Sequence, residues 1–201
     1  ILSLRLYWRG SLKGGLLLLG ALAYFLYVYT SVALGTTYND LFLVYIALFS
    51  ASLFAFVLMF SAFDREALAA HFSPRIPRVG LALFMFASGL VTAVVWLGPL
   101  LGAQLEGRPP ELLDTYSTSV TDVLDLGVIT PATLVAGLLI LRRDSLGYLV
   151  AFALLVVEIS LAPMIAAQTI SQISADVSFT TGEIVGPMAG FVVLALLATG
   201  F

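Results

Sequence analysis

Asp125 and Glu158 stand well inside apolar runs, and of all the residues in this chain they are the best placed to do chemistry. A carboxylate in hydrocarbon is costly, so it faces the interior of a helix bundle, acquires partners or takes up a proton. At about 100° per residue, Asp125 shares its side of a helix with Thr118, Thr121, Asp122, Ala132 and Ala136, a small and polar stripe suited to close helix contact. Glu158 shares its side with Ala162, Thr169, Gln172 and Asp176. Only Arg142 to Ser145 connect the two helices, which should therefore be antiparallel neighbours. Measured from that turn at about 1.5 Å per residue, Asp125 lies about 25 Å along its helix and Glu158 about 20 Å along the next. Side chains lean toward their own helix N-terminus, so these two lean apart. That disfavours a directly shared proton and leaves water or a tyrosine to bridge them. Tyr24 and Tyr45 lie deep enough to face the same polar cavity, whereas Tyr29 and Tyr38 suit interfacial anchoring. The candidate cavity or proton site is therefore Glu158, Asp125, Asp122, Tyr24, Tyr45 and Gln172.

Other acids have a simpler explanation. Thr37 with Asp40, Ser119 with Asp122, and Thr180 with Glu183 each have the spacing of a helix capping box, in which hydroxyl and carboxylate satisfy free backbone amides. The positive end of the helix dipole favours carboxylates at the same places. Prolines within the spans withhold amides: Pro131 frees the carbonyl of Gly127, Pro163 that of Ile159 and Pro99 that of Val95. Such breaks can line binding cavities, although a simple kink is the commoner outcome.

Most catalytic and cofactor chemistry is excluded. A retinal Schiff base needs an intramembrane lysine, and the single lysine, Lys13, lies at a span end. Bis-histidine haem ligation needs more than the single His71, which sits beside Ser73 and Pro74 in a turn and reads as solvated. With zero cysteines there are no disulfides, thiolate metal sites or thiol nucleophiles. Ala87-Ser88-Gly89 has no base within a span to activate the serine, so close packing explains it better. An aspartate dyad fails because the second deep acid is Glu158 at a different level. No phosphate-binding loop, dinucleotide fingerprint or metal-binding helix motif occurs, and no cofactor, metal or catalytic residue is expected.

The scaffold that must position these groups follows from composition. Of 201 residues, 61% are hydrophobic and only 10% charged, and the mean hydropathy is +1.08. A water-soluble fold is incompatible with those values, and the charge-free runs are long enough to cross a hydrocarbon core of about 30 Å. The expected fold is all-α, a single polytopic transmembrane helix bundle over residues 1–201, with six spans at about 16–34, 41–63, 79–103, 119–141, 146–168 and 182–201. The alternating segments of a β-barrel are missing. Residues 1–9, with Tyr7, Trp8 and two arginines, look like the end of an earlier helix, so a seventh, preceding span is expected in the parent protein.

Arginine and lysine set the orientation, because short loops rich in them stay cytoplasmic. One side carries Arg5, Arg9, Lys13, Arg65, Arg75, Arg78, Arg142 and Arg143, and the other only Arg108. The loops near Arg75 and Arg142 are thus expected to be cytoplasmic and those near Arg108 and Asp176 exterior, in a plasma membrane. The net charge of −3 gives no basic field for nucleic acid. The expected partner is the lipid bilayer, with a small ligand or other membrane subunits beside it. The leading functional expectation is a small-molecule, ion or proton-linked binding or transport bundle with an exterior-half polar cavity. The alternative is a non-catalytic structural or accessory subunit of a larger membrane complex. An intramembrane enzyme ranks last, for want of a nucleophile or metal set.

Overall fold

The computed structural model describes residues 2–71, 77–110, 113, 117–174, 190 and 192–200, and they form helices joined by short turns. The order is α1 (Leu2–Trp8), α2 (Leu12–Gly35), α3 (Phe42–Ser61), α4 (Arg65–His71), α5 (Arg78–Leu105) and α6 (Val120–Leu124), then a π-helical segment (Asp125–Ile129), α7 (Thr130–Leu141) and α8 (Ser145–Ser174). Residues 192–198 are helical as well. The reason is shared: an apolar run that leaves water must satisfy its amides and carbonyls internally, which a helix does within one segment. Hydroxyls inside the helices follow the same rule. Thr30, Ser31, Ser52, Thr133, Ser160, Thr169 and Ser174 each donate to the carbonyl four residues back.

Five stretches among the described residues are long and apolar enough to cross a membrane: Leu12–Gly35, Phe42–Ser61, Arg78–Leu105, Val120–Leu141 and Ser145–Ser171. They coincide with the first five expected spans and are compatible with a membrane location. The sixth, expected from Gly182, begins outside the described residues, as do Arg75, Asp176, Thr180 and Glu183.

Turn chemistry closes the helix ends. After α1, α5 and α7 the chain turns through Gly10, Gly107 and Arg143 at φ of 72°, 67° and 63°. In each case the amides of that residue and of the next one bond back to the last turn; after α7, Arg143 donates to Ile140 and Asp144 to Leu139. Asp144 then caps α8 by accepting from the Leu146 amide at 2.9 Å. Asp64 does the same for α4, accepting from the amides of Glu66 and Ala67. The capping boxes expected from spacing do not form at two helices. Asn39 accepts from the Leu41 amide ahead of α3, in place of a Thr37 and Asp40 pair, because an asparagine two residues ahead reaches that amide directly. Ser119 occupies the N-cap of α6 without a side-chain cap bond. His71 is exposed, with its ring against the Ala67 carbonyl.

The chain forms two compact units, Ile1–Tyr24 with Phe152–Phe201, and Phe25–Ala151. In the first, glycines allow close approach: a Cβ on Gly14 would lie 2.5 Å from the Tyr7 amide nitrogen, and one on Gly20 would lie 2.4 Å from Val156. In the second, α5 runs antiparallel to α7. Gly137 sits against the Phe86 ring, and Gly89 against Thr133 and Leu134, so each step up one helix is a step down the other. Ser88 is buried on that same face, consistent with packing as the role of Ala87-Ser88-Gly89. The end of α2 meets the start of α6, where Gly35 approaches Val120.

Candidate functional site

Asp125 stands where α6 gives way to the wider π turn, and it is only 5% exposed. Two other helices of its unit supply its donors. The Tyr27 hydroxyl, on α2, donates to Oδ1 at 2.9 Å. The Trp96 indole, on α5, is a second donor to the carboxylate. Between residues 14 and 63, 79 and 107, and 109 and 141 the sequence has no Lys, Arg or His except the described surface position Arg108 between the last two ranges, so the charge is met by neutral donors rather than by an ion pair within these helices. Hydrogen bonds to an ionised group are the stronger kind, and a buried tyrosine or tryptophan needs such a partner. Asp122 lies one turn away, half-buried, and the Thr121 hydroxyl approaches it at 3.4 Å.

The backbone around Asp125 departs from the α register. The Thr130 amide donates to the Asp125 carbonyl five residues back, and Pro131 follows at once. In a regular α-helix the proline ring would collide with the carbonyl of Gly127; one wider turn relieves that contact. The extra residue shifts the buried face by one position. Regular periodicity pointed to Ala132 and Ala136 alongside Asp125. The observed buried residues are Asp125, Thr130, Thr133, Ala136, Gly137 and Ile140, whereas Ala132 is half-exposed and Thr118 and Thr121 are exposed. The Ile129 carbonyl already belongs to α7 as its N-cap. The carbonyls of Leu126, Gly127 and Val128 therefore have only the Ala132 amide ahead of them as a backbone donor, since Pro131 has none. Freeing of Gly127 alone was too narrow an expectation. Thr130 completes the picture: its hydroxyl is buried without a hydrogen-bond partner.

Of the six residues singled out from the sequence, the structure brings Asp125 and Asp122 to one place. The tyrosine that meets Asp125 is Tyr27, not Tyr24 or Tyr45. Tyr24 is half-buried in the other unit, and Tyr45 is half-buried in the first turn of α3. Glu158 is half-buried midway along α8, in the unit that contains Tyr24. Gln172 lies in the last turn of α8, with its side chain outside the described set. The donors missed from sequence had signals of their own. Tyr27 is about 12 Å from the end of α2, close to the depth of Asp125 in a helix of opposite direction. Trp96 is deep in α5, where its N–H requires an acceptor. Among the described residues no group of three His, Cys, Asp or Glu side chains is arranged to hold a metal ion. Comparison with protein-family models, curated proteins and solved structures gives no match.

Proposed function

We propose that this chain is a multi-pass membrane protein that binds a small cation or proton-linked solute through Asp125 and moves it toward or across the bilayer. The observation that carries this reading is a carboxylate only 5% exposed, in an apolar helix, with the Tyr27 hydroxyl 2.9 Å away at a break in the helix register. An ionisable group at that depth is costly to keep for packing alone, because a neutral polar residue would hold helices together with less desolvation. Wide turns also loosen the backbone ladder and offer carbonyls to a ligand. In the orientation set by the arginine pattern, Asp125 lies in the exterior half of its span and the loop near Arg142 is cytoplasmic. Lipid would cover the outer faces of α2, α3 and α5. Glu158 is a second candidate carboxylate within the same proposal.

The test is proton flux into proteoliposomes that contain a trapped pH-sensitive dye, driven by an imposed pH gradient and potential. The wild-type chain should dissipate the gradient, and Asp125→Asn should lose that activity while keeping its elution profile and helical content. Equal dissipation by wild-type and Asp125→Asn protein would overturn the role of Asp125. A subunit role is favoured by a different observation. Nine of the twenty residues of α3, among them Leu43, Phe54 and Leu58, are exposed, which leaves an apolar face to lipid or to a partner helix. Gentle extraction from native membranes, followed by sizing, separates the two: a stable larger assembly that survives Asp125→Asn would support the subunit.

A further inference from the structure

Seven of the hydroxyls along these helices share one habit, and the Thr130 hydroxyl does not follow it. Seven serine and threonine side chains donate to the carbonyl four residues back, whereas the Thr130 hydroxyl has no partner although the residue is only 8% exposed. The wide turn explains why. It moves the preceding carbonyls out of the position that an α-helix would present, and the Thr130 amide bonds to Asp125 instead of to Leu126. A buried hydroxyl without a partner is costly, so a site of this kind is stable when something else supplies the partner. Thr130 shares the buried face with Asp125, one wide turn away, and its Cα–Cβ bond tilts toward the helix N-terminus, the direction of Asp125.

We infer that Asp125, Thr130 and a carbonyl of the wide turn, that of Leu126 being next to Asp125 and four residues before Thr130, form a binding site for a desolvated monovalent metal cation. The reasoning rests on the functional proposal for Asp125 and adds the identity of its ligand. All the groups available to the ligand are oxygens: a carboxylate with lone pairs beyond those used by Tyr27 and Trp96, a hydroxyl oxygen, and carbonyls short of backbone donors. That set suits a hard cation, and interrupted membrane helices offer unwound carbonyls to sodium in this manner. Charge selects the valence. Asp125 is the one carboxylate buried on this face, Asp122 being half-buried, so a single positive charge leaves the site neutral while a divalent ion would leave net charge in an apolar setting. Below Thr133 the face becomes apolar, with Gly137 closed by the Phe86 ring, so the polar groups end about halfway along the span.

The experiment is equilibrium binding of radioactive Na⁺ to the full purified chain in detergent, with choline chloride holding ionic strength constant. The wild type should bind saturably, with competition by unlabelled Na⁺ and none by choline. Thr130→Ser, which keeps the hydroxyl, should bind nearly as well. Thr130→Val should weaken binding about tenfold, the equivalent of one lost neutral ligand, and Asp125→Asn should abolish it. Thr130→Ala replaces the valine variant if valine disturbs folding, judged by the unfolding temperature in choline alone. Unchanged Na⁺ affinity in Thr130→Val or Thr130→Ala overturns the assignment. Absence of saturable Na⁺ binding in the wild type, with Asp125-dependent proton flux intact, overturns the metal site and leaves the functional proposal standing. Loss of both observations removes the functional proposal together with the site.

Discussion

Asp125 and Glu158 begin from nearly the same ingredients: an apolar helix, one acidic residue, and a proline six positions later in one case and five in the other. Their surroundings differ. Around Asp125 the helix opens into a π turn before Pro131, and the carboxylate is buried against donors from α2 and α5. Around Glu158 the chain stays α-helical from Ser145 to Ser174, straight through Pro163, and Glu158 is half-buried. A proline in an apolar helix therefore does not by itself dictate the break. What distinguishes the first case is that wider winding moves Thr130 and Thr133 onto the face packed against α5, while Tyr27 and Trp96 anchor the carboxylate at its start. Tertiary contacts select one of two local solutions that the covalent chain permits.

The most far-reaching way to break this comparison is Pro131→Ala. With the ring removed, the α register can continue, and every later residue of α7 shifts on the face toward α5. A Cβ on Gly89 would lie 3.4 Å from the Thr133 Cβ, near disulfide geometry, and the natural chain has zero cysteines. A Gly89→Cys and Thr133→Cys pair should oxidise faster than Gly89→Cys with Ala132→Cys. Pro131→Ala should narrow or reverse that preference, read from the shift in electrophoretic mobility. An unchanged preference would mean that the contacts of Asp125, not the proline, hold the wide turn.

The next test compares the two carboxylates. Asp125→Ala leaves the half-buried Tyr27 and Trp96 without their acceptor, and at about 1 kcal/mol for each such group a loss of about 2 kcal/mol is expected. Glu158→Ala, at a half-buried position in an unbroken helix, should cost about 1 kcal/mol or less. Reversible unfolding in bicelles measures both, and equal losses would dissolve the distinction between the two regions.

The smallest effect sharpens the assignment of the tyrosine. Tyr27→Phe removes one hydroxyl donor and should cost about 1 kcal/mol, near the upper part of the range for hydrogen bonds in membrane proteins. Tyr24→Phe should leave the environment of Asp125 unchanged. Infrared difference spectra of the isotope-labelled Asp125 carboxylate should shift in Tyr27→Phe alone. A shift of the same size in Tyr24→Phe would assign the bond to Tyr24 in place of Tyr27.

The apolar helices and the burial of Asp125 were legible in the residues themselves. Apolar runs of about 20 residues fix helix position because a backbone without water has few other ways to satisfy its polar groups. The five observed apolar helices fall within a few residues of those expectations, and the turn of Arg142 to Ser145 closes as its brevity requires. Beyond Asp125 periodicity found Ala136 but not Thr130 and Thr133. Counting at about 100° per residue assumes an unbroken register, and one wide turn carries the buried face from Ala132 to Thr133. Nor could spacing choose among Tyr24, Tyr27 and Tyr45, since each has a plausible depth and only the packing of α2 against α6 brings one hydroxyl to the carboxylate. Sequence determined which groups must leave water, because that depends on local composition. Tertiary structure decided which of them meet, because a hydrogen bond of 2.9 Å depends on the rotation and register of two helices 98 positions apart in the chain.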